Sequence, residues 1–304
     1  MFDEQLLSYL RTVRDYIRWG TSRMNEAGLH FGHGSAEAQD EAAALVLHAL
    51  HLPPDIHPSY LDCAVSPEEG RNILALFDRR MEQRLPAAYL TNEAWFAGRP
   101  YFVDDRVLVP RSPIAELVEE RFYPWIDSPG EVRRILDLCT GSGCIGVACA
   151  HAFPAAQVDL SDLSEEALEV AELNVVEHEV EQRVAVIHSD LFQGLAGQRY
   201  DLIVSNPPYV PTEEMEDLPD EYLHEPELGL QGGEDGLALV AQILRHAAEH
   251  LSPEGVLVVE VGAGWRQALQ RWPRMPFIWL RFRRGGEGVF LLTRRQLERH
   301  RWAV

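Results

Sequence analysis

The tetrapeptide Asn206-Pro207-Pro208-Tyr209 directly follows the apolar run Leu202–Ser205, which is typical of a buried β-strand. Neither proline has a backbone donor and both have a fixed φ, so their carbonyl oxygens stay available. The side-chain carbonyl of Asn206 and the backbone carbonyl of Pro207 could each accept one hydrogen of a planar –NH2 group. Such a grip favours a pyramidal nitrogen with a localised lone pair, which methyl-cation transfer requires, and Tyr209 offers a flat wall and a face for a cation. The alternative is a plain proline-rich turn.

A second candidate binding feature is the loop 140–143 (TGSG), which follows the apolar run Ile135–Cys139 and precedes a helix-like segment. Small residues let backbone amides approach a ligand closely, and the N-terminus of a helix adds a positive dipole. Asp137, just before the loop, suits a cationic or hydrogen-donating group, such as the amino group of a methionine moiety. Together these residues predict a nucleotide-binding loop.

The same segment, 141–146 (GSGCIG), also fits the GxGxxG fingerprint, with Asp162 about 20 residues further on. An NAD-dependent oxidoreductase therefore remains open at this point, as does tight helix–strand packing with no ligand. Asp162 follows the second candidate strand, where its carboxylate could accept both ribose hydroxyls in either nucleotide class. Asp190 follows the third, where it could accept from an adenine amino group with Leu191 or Phe192 against the ring. The alternative for Asp190 is a turn or helix-cap aspartate.

From about residue 133 the sequence alternates between strand-like and helix-like segments, which predicts a mostly parallel sheet with helices on both faces. Ligands bind beyond the carboxyl ends of the strands in such sheets, so the three loops would face one crevice. A short Arg/Gly-rich loop joins the last two strands, which should therefore be antiparallel. The candidate strands are Arg134–Cys139, Gln157–Leu160, Val184–His188, Leu202–Ser205, Val256–Val261, Phe277–Leu280 and Val289–Thr293. The candidate helices are Cys144–Ala152, Ser164–His178, Gly236–His250 and Trp265–Arg271.

The first third of the chain has helical spacing from Leu6 to Ile17 and an Ala/Leu-rich helical segment at Asp40–Leu50. Ser66 should cap another helix, which runs to about Leu85. Residues 89–109 change to short β-type runs, which predicts strands or a hairpin. These are Tyr89–Thr91, Ala94–Phe96, Tyr101–Val103 and Val107–Val109. The predicted domains are a helical domain over 1–86, a β-hairpin linker over 87–112 and an α/β domain over 113–304.

Charge and composition narrow the possible partners of this 304-residue chain. Lys plus Arg is 27 and Asp plus Glu is 48, giving a net charge of −21. So acidic a chain is a poor binder of nucleic-acid phosphates and favours a basic partner. No apolar run approaches the length of a bilayer span, and Met1–Glu4 lack the pattern of a secretory signal. Three of the four cysteines lie close together in no metal-ligand pattern, so we expect buried thiols, no metal site and a cytoplasmic protein.

The motif order DLCTGSG (137–143), Asp162 and NPPY (206–209) resembles class I S-adenosylmethionine-dependent methyltransferases that act on planar nitrogens. The segment VLVPRSP (107–113), the hairpin and the N-terminal helices are similar to protein-glutamine methyltransferases. One branch of that family modifies peptide-chain release factors and usually has Pro-Arg-Pro, where this chain has Pro-Arg-Ser-Pro. The other modifies ribosomal protein L-three. Motifs that resemble this second branch are YLTN (89–92), AWF (94–96), GHG (32–34), HEPELGL (224–230) and GGEGVF (285–290).

The resemblance implies a Rossmann-like fold with a seven-stranded sheet, S-adenosylmethionine as cofactor and a ribosomal protein as partner, free or in an assembly intermediate. Asn206, Pro207 and Tyr209 would be catalytic, and Asn206 to Tyr209 would hold the substrate glutamine. The N-terminal helices would recognise the protein substrate. The implied cofactor-binding residues are Asp137, Cys139, Thr140, Gly141, Ser142, Gly143, Asp162, Leu163, Asp190, Leu191, Asn206 and Arg111.

Several alternatives stay open. Glutamine methylation of release factors, exocyclic-amine methylation of a nucleic-acid base and a non-enzymatic assembly factor are the competing functions. Arg111 could reach the cofactor carboxylate or cap the hairpin, and Glu225 and Glu227 could line the substrate entrance or be turn residues. His33 is a further substrate-contact candidate, although a loop histidine is more often neither ligand nor catalyst. A basic cluster could contact ribosomal RNA weakly or form a solvated charged face. Its members are Arg281, Arg283, Arg284, Arg294 and Arg295.

Overall fold

The computed structural model describes residues 5–303. Met1–Glu4, where the sequence predicts no secretory signal, lie outside the described residues, as does Val304. The chain divides into two compact units. The first extends to Ala94 and also includes Pro219–His224, here called the inserted segment. The second contains the rest, so the division falls between the predicted domain boundaries at residues 86 and 112.

The first unit is built from helices. Its helices are α1 (Leu6–Tyr9), α2 (Val13–Glu26), α3 (Ala38–Ala49), α4 (Pro67–Glu82) and α5 (Ala87–Thr91). The predicted cap at Ser66 is confirmed: its hydroxyl accepts from Glu69, whose carboxylate accepts from the Ser66 backbone N–H. The helical spacing from Leu6 is interrupted, because Thr12 forms the same capping box with Asp15 and so begins a new helix.

The inserted segment is anchored in the first unit by buried charge. Glu221 is 1% exposed, and its Oε1 lies 3.4 Å from Nη1 of Arg80 and 3.2 Å from Nη1 of Arg84. The His30 N–H also donates to this oxygen over 2.9 Å, and Arg80 pairs in addition with buried Glu41. Burial acts to raise the pKa of Glu221, but the His30 N–H and the two guanidinium groups outweigh it and leave the pKa below its usual value.

The predicted hairpin forms from β1 (Glu93–Phe96) and β2 (Arg99–Phe102), but two neighbouring predictions are wrong. The run Tyr89–Thr91 lies in α5, because the amides of residues 89 and 90 donate to the carbonyl of Pro86 and close a helical turn. The run Val107–Val109 is not a strand, because the Val109 N–H donates to the side chain of Glu225 instead of to a neighbouring strand.

The second unit contains the predicted seven-stranded, mostly parallel sheet, in the order β5-β4-β3-β6-β7-β9-β8. Its strands are β3 (Arg134–Leu138), β4 (Gln157–Asp162), β5 (Val184–His188), β6 (Tyr200–Ser205), β7 (Leu251–Glu260), β8 (Ile278–Trp279) and β9 (Val289–Thr293). The antiparallel pairing of β8 with β9 is also confirmed, and β9 pairs antiparallel with β7.

Helices accompany this sheet. They are α6 (Ile114–Glu119), α7 (Cys144–Ala152), α8 (Glu165–Glu177), α9 (Glu227–Leu230), α10 (Ala238–His250), α11 (Trp265–Arg271) and α12 (Arg294–His300). Ile135 and Leu136 are consecutive in β3 yet belong to different buried clusters, so the sheet is covered on both faces. Of the three clustered cysteines, Cys144 and Cys149 are buried as predicted, whereas Cys139 is only partly buried. Within residues 5–303, no helix has the length and apolar character needed to cross a membrane.

Candidate active site

Four strands end at one level on the carboxyl edge of the sheet. Leu138 pairs with Ser161 on one side and with Ser205 on the other, and Ser205 pairs with Val259. The Ser205 hydroxyl also donates to the Leu138 carbonyl over 2.6 Å, which joins two of these ends directly. The residues that follow these positions are Cys139, Asp162, Asn206 and Glu260. The parallel register therefore brings the predicted loops to a common edge.

The predicted nucleotide-binding loop (140–143), here called the glycine loop, has a left-handed backbone at Gly141 (φ 55°) and Gly143 (φ 81°). Cys139, just before it, is also left-handed (φ 60°). Gly143 precedes the first residue of α7, so the loop leads directly into a helix N-terminus, as predicted. Gly146, inside α7, serves a different purpose: a Cβ there would lie 2.0 Å from Cδ2 of Leu160. Gly146, the third glycine of the GxGxxG pattern, thus allows close packing of α7 on the sheet. This favours helix–strand packing over ligand binding as the role of that glycine.

Asp137 is completely buried in β3. Its Oδ2 accepts from the Thr140 hydroxyl (2.6 Å) and from the Gly146 N–H (2.8 Å). Its Oδ1 is also buried and has no hydrogen-bond partner within residues 5–303. Burial raises the pKa of Asp137 to about 7, although the two hydrogen bonds lower it. An ammonium or another donor at Oδ1 would satisfy the unpaired acceptor.

Asp162 ends β4 and takes part in ordering the glycine loop. Its Oδ2 accepts from the Gly141 N–H (2.9 Å) and its Oδ1 from the Ser164 N–H (3.0 Å). Burial raises the pKa of Asp162, opposed by these N–H groups and that of Leu163. A carboxylate has about four acceptor positions, so three backbone donors leave room for a ligand hydroxyl. Leu163, next to it, is 50% exposed.

Asp190 lies beyond β5 on an exposed turn, where its Oδ2 accepts from the Gln193 side chain over 2.6 Å. The next residue, Leu191, is buried with a left-handed backbone (φ 47°). Phe192 stacks on His250, with ring centroids 4.6 Å apart. Of the two apolar candidates for an adenine wall, Phe192 is therefore already packed against a protein ring.

The NPPY turn follows β6, and two glycines pack closely against its backbone at Tyr209. A Cβ on Gly232 would lie 2.7 Å from Cα of Tyr209, and one on Gly236 would lie 2.3 Å from its carbonyl oxygen. The next residue is joined to the end of α9, because the Val210 N–H donates to the Leu230 carbonyl over 2.9 Å. Asn206 is partly buried, and its Oδ1 is buried without a hydrogen-bond partner in the described part of the chain.

Two residues beside this turn were missed at the sequence level. Glu260 ends β7, and its Oε1 accepts from the Tyr209 hydroxyl over 3.0 Å. Its Oε2 accepts from the Ser112 hydroxyl over 2.5 Å. Burial raises the pKa of Glu260, opposed by these two hydroxyls and by Arg111. An acidic residue at the end of the apolar run VLVVE was the available signal.

Arg111 has a structural partner. Its Nη1 and Nη2 lie 2.5 and 2.7 Å from the two carboxylate oxygens of Glu225, which is 5% exposed. The same carboxylate accepts from the Val109 N–H over 2.9 Å. This bidentate pair favours the structural alternative for both Arg111 and Glu225.

The remaining candidates have different surroundings. Glu227 is exposed in α9, and His33 is buried with its ring 4.5 Å from that of Tyr222. Four of the five arginines in the basic cluster form ion pairs with glutamates, which favours a charged face over an RNA-binding one. The pairs are Arg283–Glu120, Arg284–Glu119, Arg294–Glu298 and Arg295–Glu254. Within residues 5–303, no group of three or more His, Cys, Asp or Glu side chains could hold a metal ion.

This chain is similar to a family model and to solved structures of known proteins. The model of the methyltransferase small domain family matches residues 125–225, which include both the glycine loop and the NPPY turn. A solved methyltransferase structure from Pyrococcus furiosus is 17% identical, covers 74% of this chain and 98% of its own, and has a TM-score of 0.44. The family match over both loops identifies residues 125–225 as a methyltransferase domain.

Full-length relatives are much more similar. A protein from Xanthomonas campestris is 52% identical over 96% of this chain and 94% of its own length, and one from Neisseria meningitidis serogroup B is 50% identical over 96% of both. Both are ribosomal protein uL3 glutamine methyltransferases. The chain therefore belongs to the family of ribosomal protein uL3 glutamine methyltransferases, which confirms the resemblance found in its motifs.

Replacing Gly146 by alanine should lower the free energy of unfolding by about 1–3 kcal/mol, because the new methyl group overlaps packed strand side chains. The Cβ would lie 2.0 Å from Cδ2 of Leu160 and 2.9 Å from Cβ of Asp137. Urea denaturation would measure the change. Gly130→Ala is a matched control, because a Cβ there has no atom within 4 Å. Equal stability of the two variants would contradict the packing described for α7.

Proposed function

We propose that this chain transfers the methyl group of S-adenosylmethionine to the side-chain amide nitrogen of a glutamine in ribosomal protein uL3. The observation that carries the proposal is Oδ1 of Asn206 in the NPPY turn, which has no hydrogen-bond partner within residues 5–303 and lies at the same sheet edge as the glycine loop. The names of relatives about half identical over almost the whole chain supply the substrate. The reaction would take place in the cytoplasm, where ribosomal proteins are made, on the free protein or on an assembly intermediate.

The acceptors at this edge fit S-adenosylmethionine. Oδ1 of Asp137 would accept from the ammonium group of the methionine moiety, since that buried oxygen has no donor among residues 5–303. Asp162 would accept from a ribose hydroxyl, and Asp190 with Leu191 would border the adenine. Bound in this way, the cofactor supplies an electrophilic methyl group on a sulfonium. The other proposed contacts are Cys139, Thr140, Gly141, Ser142, Gly143, Leu163 and Asn206.

The NPPY turn would hold the substrate amide. Oδ1 of Asn206 and the carbonyl of Pro207 each accept one amide hydrogen, which fixes the nitrogen and localises its lone pair. Pro208 keeps the turn rigid, and the ring of Tyr209 walls the carboxamide plane. A strong base is not needed before transfer, because the methylated nitrogen loses its proton readily afterwards. Positioning and exclusion of water are therefore the main contributions of these residues.

The helical domain would recognise the protein substrate. An acidic chain with a net charge of −21 attracts a basic partner at long range, and a ribosomal protein is of that kind. Attraction of this type weakens with salt, so it assists encounter and leaves the choice of glutamine to contacts closer to the NPPY turn.

The test is transfer of label from S-adenosylmethionine to uL3 purified from cells that lack the enzyme. Incorporation should map by mass spectrometry to a glutamine, as a single methyl-sized mass increase. Release factor and ribosomal RNA are offered in parallel reactions. Label in either of these, with none in uL3, would reject the proposed substrate.

A further inference from the structure

The carboxyl group of Glu260 lies beside the NPPY turn, but it has no role in the proposed methyl transfer as derived from the NPPY residues alone. Val259 pairs with Ser205 across β7 and β6, so Glu260 at the end of β7 lies level with Asn206, the residue that follows β6. The Glu260 residue is only 5% exposed. A buried carboxylate is costly unless its oxygens are hydrogen-bonded, and here each oxygen has a hydroxyl donor.

Tyr209 is constrained at its ring, its backbone and its hydroxyl. Gly262 approaches so closely that a Cβ there would lie 2.6 Å from the ring. The backbone of Tyr209 is enclosed by Gly232 and Gly236, as described above. The hydroxyl is bound by Glu260, and this is the one constraint of the three that a side-chain substitution can remove without altering the backbone.

We propose that Glu260 is a positioning residue for methyl transfer. By accepting the hydroxyl of Tyr209 it fixes the ring that walls the substrate amide. Ser112, by donating to the other oxygen, fixes the carboxylate itself. This inference rests on the proposed function, because the wall matters only if a carboxamide lies against Tyr209.

The decisive variants remove the hydrogen bond from either side. Tyr209→Phe deletes only the hydroxyl, and Glu260→Met keeps the approximate length of the side chain without a carboxylate acceptor. Each should lower kcat for uL3 roughly 10- to 100-fold, the range expected when a reacting group is displaced by a fraction of an ångström to 1 Å. Glu260→Gln keeps one carbonyl acceptor, so it should recover part of the lost kcat. The affinity for S-adenosylhomocysteine, measured by calorimetry, should stay within the error of the wild type.

The double variant separates positioning from independent effects. If both single variants break the same hydrogen bond, the double variant should lose no more kcat than the more affected single variant. If the two losses multiply instead, Glu260 does not act through Tyr209 and the inference is overturned.

The chain offers a matched control at the other end of β6. There the hydroxyl of buried Tyr200 donates to buried Asp159 over 2.7 Å. Tyr200→Phe and Asp159→Asn should lower the melting temperature, as the Tyr209 and Glu260 variants do, but leave kcat per folded enzyme unchanged. A loss of stability without a change in kcat for Tyr209→Phe would show a merely structural hydrogen bond and overturn the inference.

Failure of the two proposals can be distinguished. If the wild-type enzyme methylates uL3 but Tyr209→Phe and Glu260→Met keep wild-type kcat, only the role of Glu260 is wrong. If the wild-type enzyme leaves every glutamine of uL3 unmodified, the proposed function is wrong and the inference falls with it.

Discussion

Replacing Asn206 by alanine should lower kcat for glutamine methylation about a thousandfold, comparable to the loss of a preorganised hydrogen-bonding group in other active sites. The Oδ1 of Asn206 is buried without a partner in the part of the chain that the structure describes, so it is available to a substrate amide. Without it, only the carbonyl of Pro207 holds the –NH2 group, and the nitrogen lone pair is no longer localised. Single-turnover methylation of uL3 measures the effect directly.

The Asn206 prediction has a built-in control. Ser205→Ala removes a buried hydroxyl from the adjacent position, where it donates to the Leu138 carbonyl. This variant should lose stability but keep most of its turnover, since Ser205 offers nothing to the substrate. S-adenosylhomocysteine should still bind the Asn206 variant, because the glycine loop is intact. If Asn206→Ala retained a tenth or more of the wild-type kcat, the proposal that Oδ1 of Asn206 holds the substrate amide would be wrong.

Cofactor affinity should depend on pH through Asp137, whose pKa burial raises to about 7. An ammonium group binds the ionised carboxylate, so affinity for S-adenosylhomocysteine should rise about tenfold per pH unit below 7 and level off above it. Asp137→Asn should abolish this dependence and weaken binding roughly 100-fold at pH 8, the order of a hydrogen bond to a charged group. Isothermal titration calorimetry between pH 5.5 and 8.5 would measure both effects.

The raised pKa of Asp137 also predicts how the stability of the free enzyme changes with pH. The folded-state pKa of Asp137 lies above its unfolded value, so the folded chain binds the extra proton between them. Its contribution to stability is therefore complete below the unfolded pKa and is lost as pH rises through about 7. The stabilisation given by S-adenosylhomocysteine should increase over the same interval, because the ligand pairs with the ionised form. A thermal shift that stays constant from pH 5.5 to 8 would contradict the role given to Asp137.

The α/β part of the fold was predictable because its signals are local. Val184–His188, Val289–Thr293 and Cys144–Ala152 have the predicted bounds, since each is an apolar run between clear turn or capping residues. The run Val107–Val109 looks the same locally, but the carboxylate that takes its amide comes from Glu225, more than a hundred positions away. A distant side chain that takes a backbone N–H from a possible neighbouring strand cannot be recognised in a short window of sequence.

The candidate site was predictable to a similar extent. Asn206 to Tyr209 and the glycine loop have distinctive residue types, and the parallel register brings them to one edge. Glu260 is marked in the sequence only as an acidic residue at the end of an apolar run, and nothing local shows that it accepts from the hydroxyls of Ser112 and Tyr209. The pairing of Arg111 with Glu225 was likewise hidden, since either alternative for Arg111 suits an arginine after a hairpin.

The inserted segment also determines when, during translation, the helical unit can complete its buried interior. Arg80 and Glu41 are synthesised early, but Glu221, which shares the Arg80 guanidinium, leaves the ribosome only after the first four strands of the large sheet have been translated. The helical unit therefore cannot complete its own interior during the first part of translation. A fragment that stops at Ala94 would retain a buried arginine with one of its two carboxylates missing, and should be a poor substitute for the unit as it exists in the whole protein.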